Sequence, residues 1–179
     1  MAKDRKIDVV ILGLLSHEDL TGYDIKKRID GAINFFWKGS FGSIYPALNA
    51  MEEAGQIKSY KADDPGSRGK IFYHITQKGI NALKQWLNED QASNELKYET
   101  LLKLYFGGVE GADTAIRNVE VFESNIKSEL EVLKIYEKNL RAEQDNEDHK
   151  FFLLTVMFGI ETYEAYLRWC AKAKKILMN

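Results

Sequence analysis

Two short stretches of this chain carry side chains suited to gripping a charged, patterned polymer. Lys38, Ser40, Ser43, Tyr45 and Asn49 lie ahead of and along one segment, and Arg68 and Lys70 lie in another. Their chemistry is hydrogen bonding and charge rather than bond making. Lys38, Ser40 and Ser43 can hold phosphate oxygens, since hydroxyls and ammonium groups supply most backbone contacts to nucleic acid. Tyr45 and Asn49 are four residues apart and off the Ile44–Leu48–Met51 stripe, so on a helix they share its exposed face. An asparagine there can pair with the edge of an adenine, and a tyrosine can touch a phosphate or a thymine methyl. Asp63 and Asp64 precede Arg68 in the same loop and oppose an anion unless they point away.

Catalytic patterns are lacking. There is no phosphate-binding glycine loop and no dinucleotide fingerprint. His17, His74 and His149 are scattered, with no zinc-protease spacing, and His74 reads as a strand residue. No serine sits in a nucleophile motif. Cys170 is the single cysteine, so an intrachain disulfide and a cysteine metal cluster are both ruled out. The chain is therefore not expected to be an enzyme, and neither a metal nor a cofactor is expected.

The elements that must position the gripping residues follow from periodicity. Ile7, Val10, Ile11, Leu14 and Leu15 make the stripe of a first helix over residues 7–16. Thr21 and Asp24 have the spacing of a capping box and open a second, with Ile25, Ile29, Ile33 and Phe36 inward. Pro46 is tolerated only in a first helical turn, so a third helix starts near Ser43, with that serine as its N-cap and Gly55 at its end. Residues 56–61 and 70–76 read as strands around a turn-forming loop. Thr76 then caps a fourth helix with Ile80, Leu83 and Leu87 inward. A polar stretch, residues 88–95, separates an N-terminal domain (1–90) from a C-terminal one (91–179). The latter reads as a short helix over 96–106, a helix over 111–142 about 45 Å long, and a last helix over 150–177.

Composition bounds the reading. The chain has 179 residues, 45% of them hydrophobic and 29% charged, the values of a folded chain. Its net charge is −2, so a claim on nucleic acid must rest on where the cations stand. The apolar run from Phe151 to Ile160 is shorter than the roughly 20 residues a membrane span needs. No secretory leader is evident, and the expected location is cytoplasmic.

Helix, helix, helix, strand, loop, strand, helix is the order of a winged helix-turn-helix, in which the third helix enters a major groove and the strand pair carries a wing. The fold class is thus mainly α, a winged helix followed by long helices. Residues 11–29 (ILGLLSHEDLTGYDIKKRI), 42–57 (GSIYPALNAMEEAGQI) and 66–79 (GSRGKIFYHITQKG) resemble PadR-type transcriptional regulators. The C-terminal part resembles, in length and pattern, the longer subfamily shared with certain virulence-gene activators. The resemblance implies a homodimer that binds operator DNA, usually as a repressor. It places Tyr23, Ser40, Ser43, Tyr45 and Asn49 among the DNA-facing helix positions, and Arg68 and Lys70 on the wing. The two aspartates and single arginine of this loop depart from the family's more basic wings.

A twofold partner also has a physical motive. Phe151, Phe152, Leu154, Met157, Phe158, Tyr163 and Trp169 need more cover than one neighbouring helix offers. The expected dimerisation residues are Phe122, Ile126, Leu130, Leu133, Phe152, Met157, Phe158 and Tyr163. Trp37, Trp86, Tyr98, Tyr105 and Phe106 are candidates to line a pocket for a small aromatic effector. The alternative reading is a winged-helix adaptor that docks a protein partner without reading DNA sequence.

Overall fold

The computed structural model describes residues 6–31, 33–37, 44–62, 69–89, 98–142 and 148–178. The chain divides into two compact units, Met1–Ser93 and Asn94–Asn179.

The first unit holds four helices and a small sheet: α1 (Lys6–Leu15), β1 (Leu20–Thr21), α2 (Gly22–Asp30), a 3-10 turn (Ile33–Phe35), α3 (Ile44–Glu53), β2 (Ile57–Lys61), β3 (Ile71–Ile75) and α4 (Gln77–Leu87). The sheet is antiparallel in the order β1-β3-β2. The expected strand pair thus gains a third, two-residue strand, with Leu20 opposite Tyr73 and Thr21 opposite Phe72. Two residues are too few to leave an alternating pattern, so nothing in the sequence announced it.

The helix ends are set by local chemistry. The Thr21 hydroxyl accepts from the backbone N–H of Asp24 at 3.1 Å, and the Asp24 carboxylate accepts from the Thr21 hydroxyl and backbone N–H, completing the capping box. That bonding, with Lys70 and Arg28 nearby, holds the Asp24 carboxyl below its ordinary range against the opposing effect of burial. At the end of α3, Gly55 takes φ 71°, its N–H reaches Glu52 O, and the N–H of Gln56 reaches Met51 O, both at 2.9 Å. These two bonds form a Schellman motif, which favours glycine because the left-handed conformation crowds a Cβ.

The core joins every element of the unit. Ile11, Leu12, Leu15, Ile25, Ile29, Ile44, Leu48, Met51, Ile57, Tyr73 and Ile75 are buried together. Four details differ from the periodic reading. Leu12 is buried and Leu14 only partly so. α2 stops at Asp30, and Ile33 lies in the 3-10 turn, partly buried. Phe36 is 54% exposed, because the helical stripe does not continue past Gly31. Leu87, on the final residue of α4, is 64% exposed.

The second unit is α5 (Glu99–Tyr105), a 3-10 turn (Gly107–Val109), α6 (Ala112–Ala142) and α7 (His149–Leu177). Gly111, at φ 89°, makes the turn into α6. α6 and α7 run antiparallel: Glu123 meets Lys174, Glu129 meets Tyr163, and Arg141 lies near Met157. Ala115, Val119, Ile126, Leu130 and Leu133 of α6 and Val156, Tyr163 and Cys170 of α7 are buried. Gly159 lets the helices approach, since a Cβ there would lie 2.8 Å from Leu133 Cδ1.

One contact ties the first unit's parts together. The Thr76 N–H donates to Gln56 O at 3.0 Å, and a Cβ on Gly79 would stand 2.3 Å from that same oxygen. Backbone cannot swing aside as a side chain can. Gly79→Ala should therefore destabilise the first unit by about 1–3 kcal/mol, a typical overpacking cost, read as a lower urea midpoint at unchanged m-value.

Candidate nucleic-acid interface

Only one face of α3 is available. Ile44, Ala47, Leu48 and Met51 are locked in the core, which turns Tyr45, Pro46 and Asn49 to solvent. Tyr45 is 59% exposed, although hydrophobic rings of that size usually find cover. Pro46 is the third residue of α3, inside the first turn, as its missing N–H requires. Ser43, Ser40 and Lys38, expected at the start of this helix, lie outside the described residues, as does Arg68 of the loop.

α2 supplies a second exposed edge. Tyr23, its second residue, is 69% exposed. Tyr23, Lys26, Lys27, Asp30 and Gly31 line an open depression. Lys26 pairs with Asp30, and Arg28 with Glu18, so part of this basic cluster is already engaged. α2 and α3 meet closely at Gly22, where a Cβ would come within 2.7 Å of Tyr45 Cε1. The small residue lets the Tyr45 ring lie across the start of α2, next to Tyr23 in sequence. Spacing alone did not reveal this role for Gly22, because the approach is between helices.

The wing strands are anchored to α3 and to β1. The Ser59 N–H donates to the Glu52 carboxylate at 2.7 Å. Side-chain and backbone hydrogen bonds from Ser59 hold that carboxyl below its ordinary range. Lys70 is exposed just before β3, its carbonyl accepting from the Ala62 N–H at 3.2 Å to close the strand pair. Its charge is among those that lower the Asp24 carboxyl. Tyr45, Asn49, Tyr23 and Lys70 are thus all solvent-facing within one unit. Tyr73 is buried in the core, and burial first, with further contributions from Glu52 and Tyr45, raises its hydroxyl.

The expected dimerisation residues divide into three groups. Ile126, Leu130, Leu133 and Tyr163 are buried within a single chain and cannot bury further area against a second one. They pack α6 against α7. Phe122 is half-buried among the rings of Tyr98, Tyr166 and Trp169, at centroid distances of 6.2, 5.8 and 6.2 Å. Phe152, Met157 and Phe158 are exposed, as are Phe151 and Leu154.

The candidate effector aromatics also differ among themselves. The Tyr98 hydroxyl bonds that of Tyr166, and Tyr163 donates to Glu129; burial first, and these bonds second, push the Tyr98 and Tyr163 hydroxyls well above the ordinary tyrosine range. Tyr105 and Phe106 pack edge to face on each other at 5.0 Å and stay exposed. In the first unit Trp37 and Trp86 are each about one-third exposed, and the Lys6 ammonium lies 5.9 Å from the Trp86 ring centroid.

Residues 11–85 match the transcriptional regulator PadR-like family, and residues 96–178 match the virulence activator alpha C-terminal family. The chain belongs to the PadR-like family of transcriptional regulators. This is a family of regulators, not of enzymes, in agreement with the missing catalytic motifs. The negative transcriptional regulator PadR of Bacillus subtilis is 34% identical over 104 residues, 57% of each chain. The chain spans about half the length of the curated relatives it matches. Solved structures match almost end to end. Bacillus subtilis PadR in complex with operator DNA has a TM-score of 0.83 at 25% identity, covering 97% of this chain and 99% of that one. The same relative in complex with p-coumaric acid has a TM-score of 0.76 at 26% identity, covering 98% and 100%. Among the described residues of this PadR-like regulator, no helix is long and apolar enough to cross a membrane.

Gly22→Ala tests the α2–α3 contact. The clash is with the end of an exposed ring, and alanine is the better helix former by roughly 1 kcal/mol. The thermal midpoint should hold or rise slightly while the Tyr45 ring resonances shift in the NMR spectrum. Unchanged Tyr45 signals would show that the ring does not rest on Gly22.

Proposed function

We propose that this PadR-like regulator binds a pseudo-palindromic operator as a homodimer and represses transcription, with the N-terminal domain (1–90) reading DNA and the C-terminal domain (91–179) dimerising. The observation that carries this reading is the orientation of α3. Its apolar side is fully used by the core, and its outer side offers Tyr45 and Asn49, with the Tyr45 ring lying against Gly22 next to the exposed Tyr23. Tyr45 and Asn49 would meet base edges or the adjoining backbone. Tyr23, Lys38, Ser40 and Ser43 would hold phosphates around the helix start, and Arg68 and Lys70 would extend the grip along the backbone. The operator complex of the Bacillus subtilis relative supports the reading.

A near-neutral chain gains little from diffuse attraction to DNA, so placement of these few groups carries the affinity. The exposed rings Phe151, Phe152 and Phe158, with Leu154 and Met157, offer an apolar face that a twofold copy would cover. Such a pairing would space two α3 helices one DNA turn apart, about 34 Å or a multiple. The relative's complex with p-coumaric acid supports a small aromatic acid as the effector that releases DNA.

Asn49→Ala should cost about 1–3 kcal/mol on the operator upstream of the regulator's own gene, and little on scrambled duplex, if the amide pairs with a base. Fluorescence anisotropy across a salt series measures both. An equal loss on both duplexes would demote Asn49 to a backbone contact, and equal weak binding by the parent protein would favour a protein-docking role for the winged helix. Phe158→Glu should convert the dimer to monomer in light scattering at micromolar concentration. A persisting dimer would move the interface elsewhere.

A further inference from the structure

On the outer face of the wing strands, a single carboxylate joins three elements. Asp19 immediately precedes β1. One of its oxygens accepts from the Tyr60 hydroxyl of β2 at 2.8 Å, and the other lies 2.7 Å from Nδ1 of His74 on β3. The two hydrogen bonds together outweigh burial and hold the Asp19 carboxyl below its ordinary range. An ionised carboxylate only accepts, so His74 carries its proton on Nδ1. Tyr60 stacks on Phe72, its partner across the strands, with centroids 5.8 Å apart and planes at 20°. Lys58 stands opposite His74 on this same face.

We propose that Asp19 is a positioning residue for the wing: by bonding Tyr60 and His74 together it sets the angle at which the strand pair presents Lys70 to DNA. The inference rests on the wing-contact reading above. Its physical basis is that β1 contributes only two residues of pairing to β3. The Thr76–Gln56 and Ser59–Glu52 bonds fix the base of the strand pair, and Asp19 adds to the short β1 pairing a side-chain brace on both long strands at once, reaching farther out at Tyr60.

The sign of the effect discriminates. Removing a negative charge close to DNA strengthens binding if charge alone matters. Removing a brace weakens it. Asp19→Ala and Tyr60→Phe, each checked for retained fold by circular dichroism, should weaken operator binding about fivefold, the value of roughly one hydrogen bond. The salt slope should drop by about one phosphate contact. In double-mutant cycles, Asp19→Ala should lose most of its effect on a Lys70→Ala background and keep its full effect on an Asn49→Ala background. Tyr60→Phe removes only the hydroxyl and serves if Asp19→Ala folds poorly. Stronger binding by the variants, or equal losses with and without Lys70, would overturn the brace while leaving the wing contact intact. Unchanged affinity of Lys70→Ala alone would overturn the wing contact and the brace together.

Discussion

The first unit turns on the place where α3 ends, β2 begins, β3 ends and α4 begins. Thr76 donates its N–H to Gln56 O, its hydroxyl lies 2.8 Å from Gly55 O and accepts from the Gly79 N–H, and Lys78 reaches Ala54 O at 2.7 Å. Orphan backbone groups of a helix end and a helix start are thereby satisfied within the fold. Because Gly79 has no Cβ, α4 sits directly on the Gln56 carbonyl. The direction of α3 relative to the wing is therefore set by backbone contacts. An interface that must place a few polar atoms against DNA benefits from such a rigid mount.

From that mount the electrostatics follow. Acidic and basic residues are almost balanced along the chain, yet they are not mixed at random on the surface. Glu52 is turned toward Ser59, Asp24 toward its own cap, and Asp19 toward Tyr60 and His74. Each of these carboxylates keeps its charge but is fixed in place by hydrogen-bond donors within the fold. Tyr23, Tyr45, Asn49 and Lys70 are left to face outward.

The second unit shows the opposite economy. α6 and α7 close on a narrow stripe, with Gly159 seated against Leu133 and Cys170 fully buried. That stripe leaves five large apolar side chains at the start of α7 more than a third exposed. A helix pair can hide only one side of each member, and this α7 is apolar on more than one side. The surplus is what makes a second copy physically reasonable.

Much of this was legible in the residues themselves. The capping box of Thr21 and Asp24, the Gly55 stop, the proline in the first turn of α3 and the long stripes of α6 and α7 are local signals, and local chemistry produced the expected elements. The outward placement of Tyr45 and Asn49 followed from the Ile44–Leu48–Met51 stripe alone. Tertiary structure decided the rest. Whether Ile126 or Phe158 lies inside a single chain depends on which neighbour reaches it first, and both are apolar at helical spacing. The support of Tyr45 by Gly22, the seat of Gly79 and the bracing of two strands by Asp19 join residues 23, 23 and up to 55 positions apart. No period of 2 or 3.6 encodes such pairs, because they arise only when separate elements meet in space.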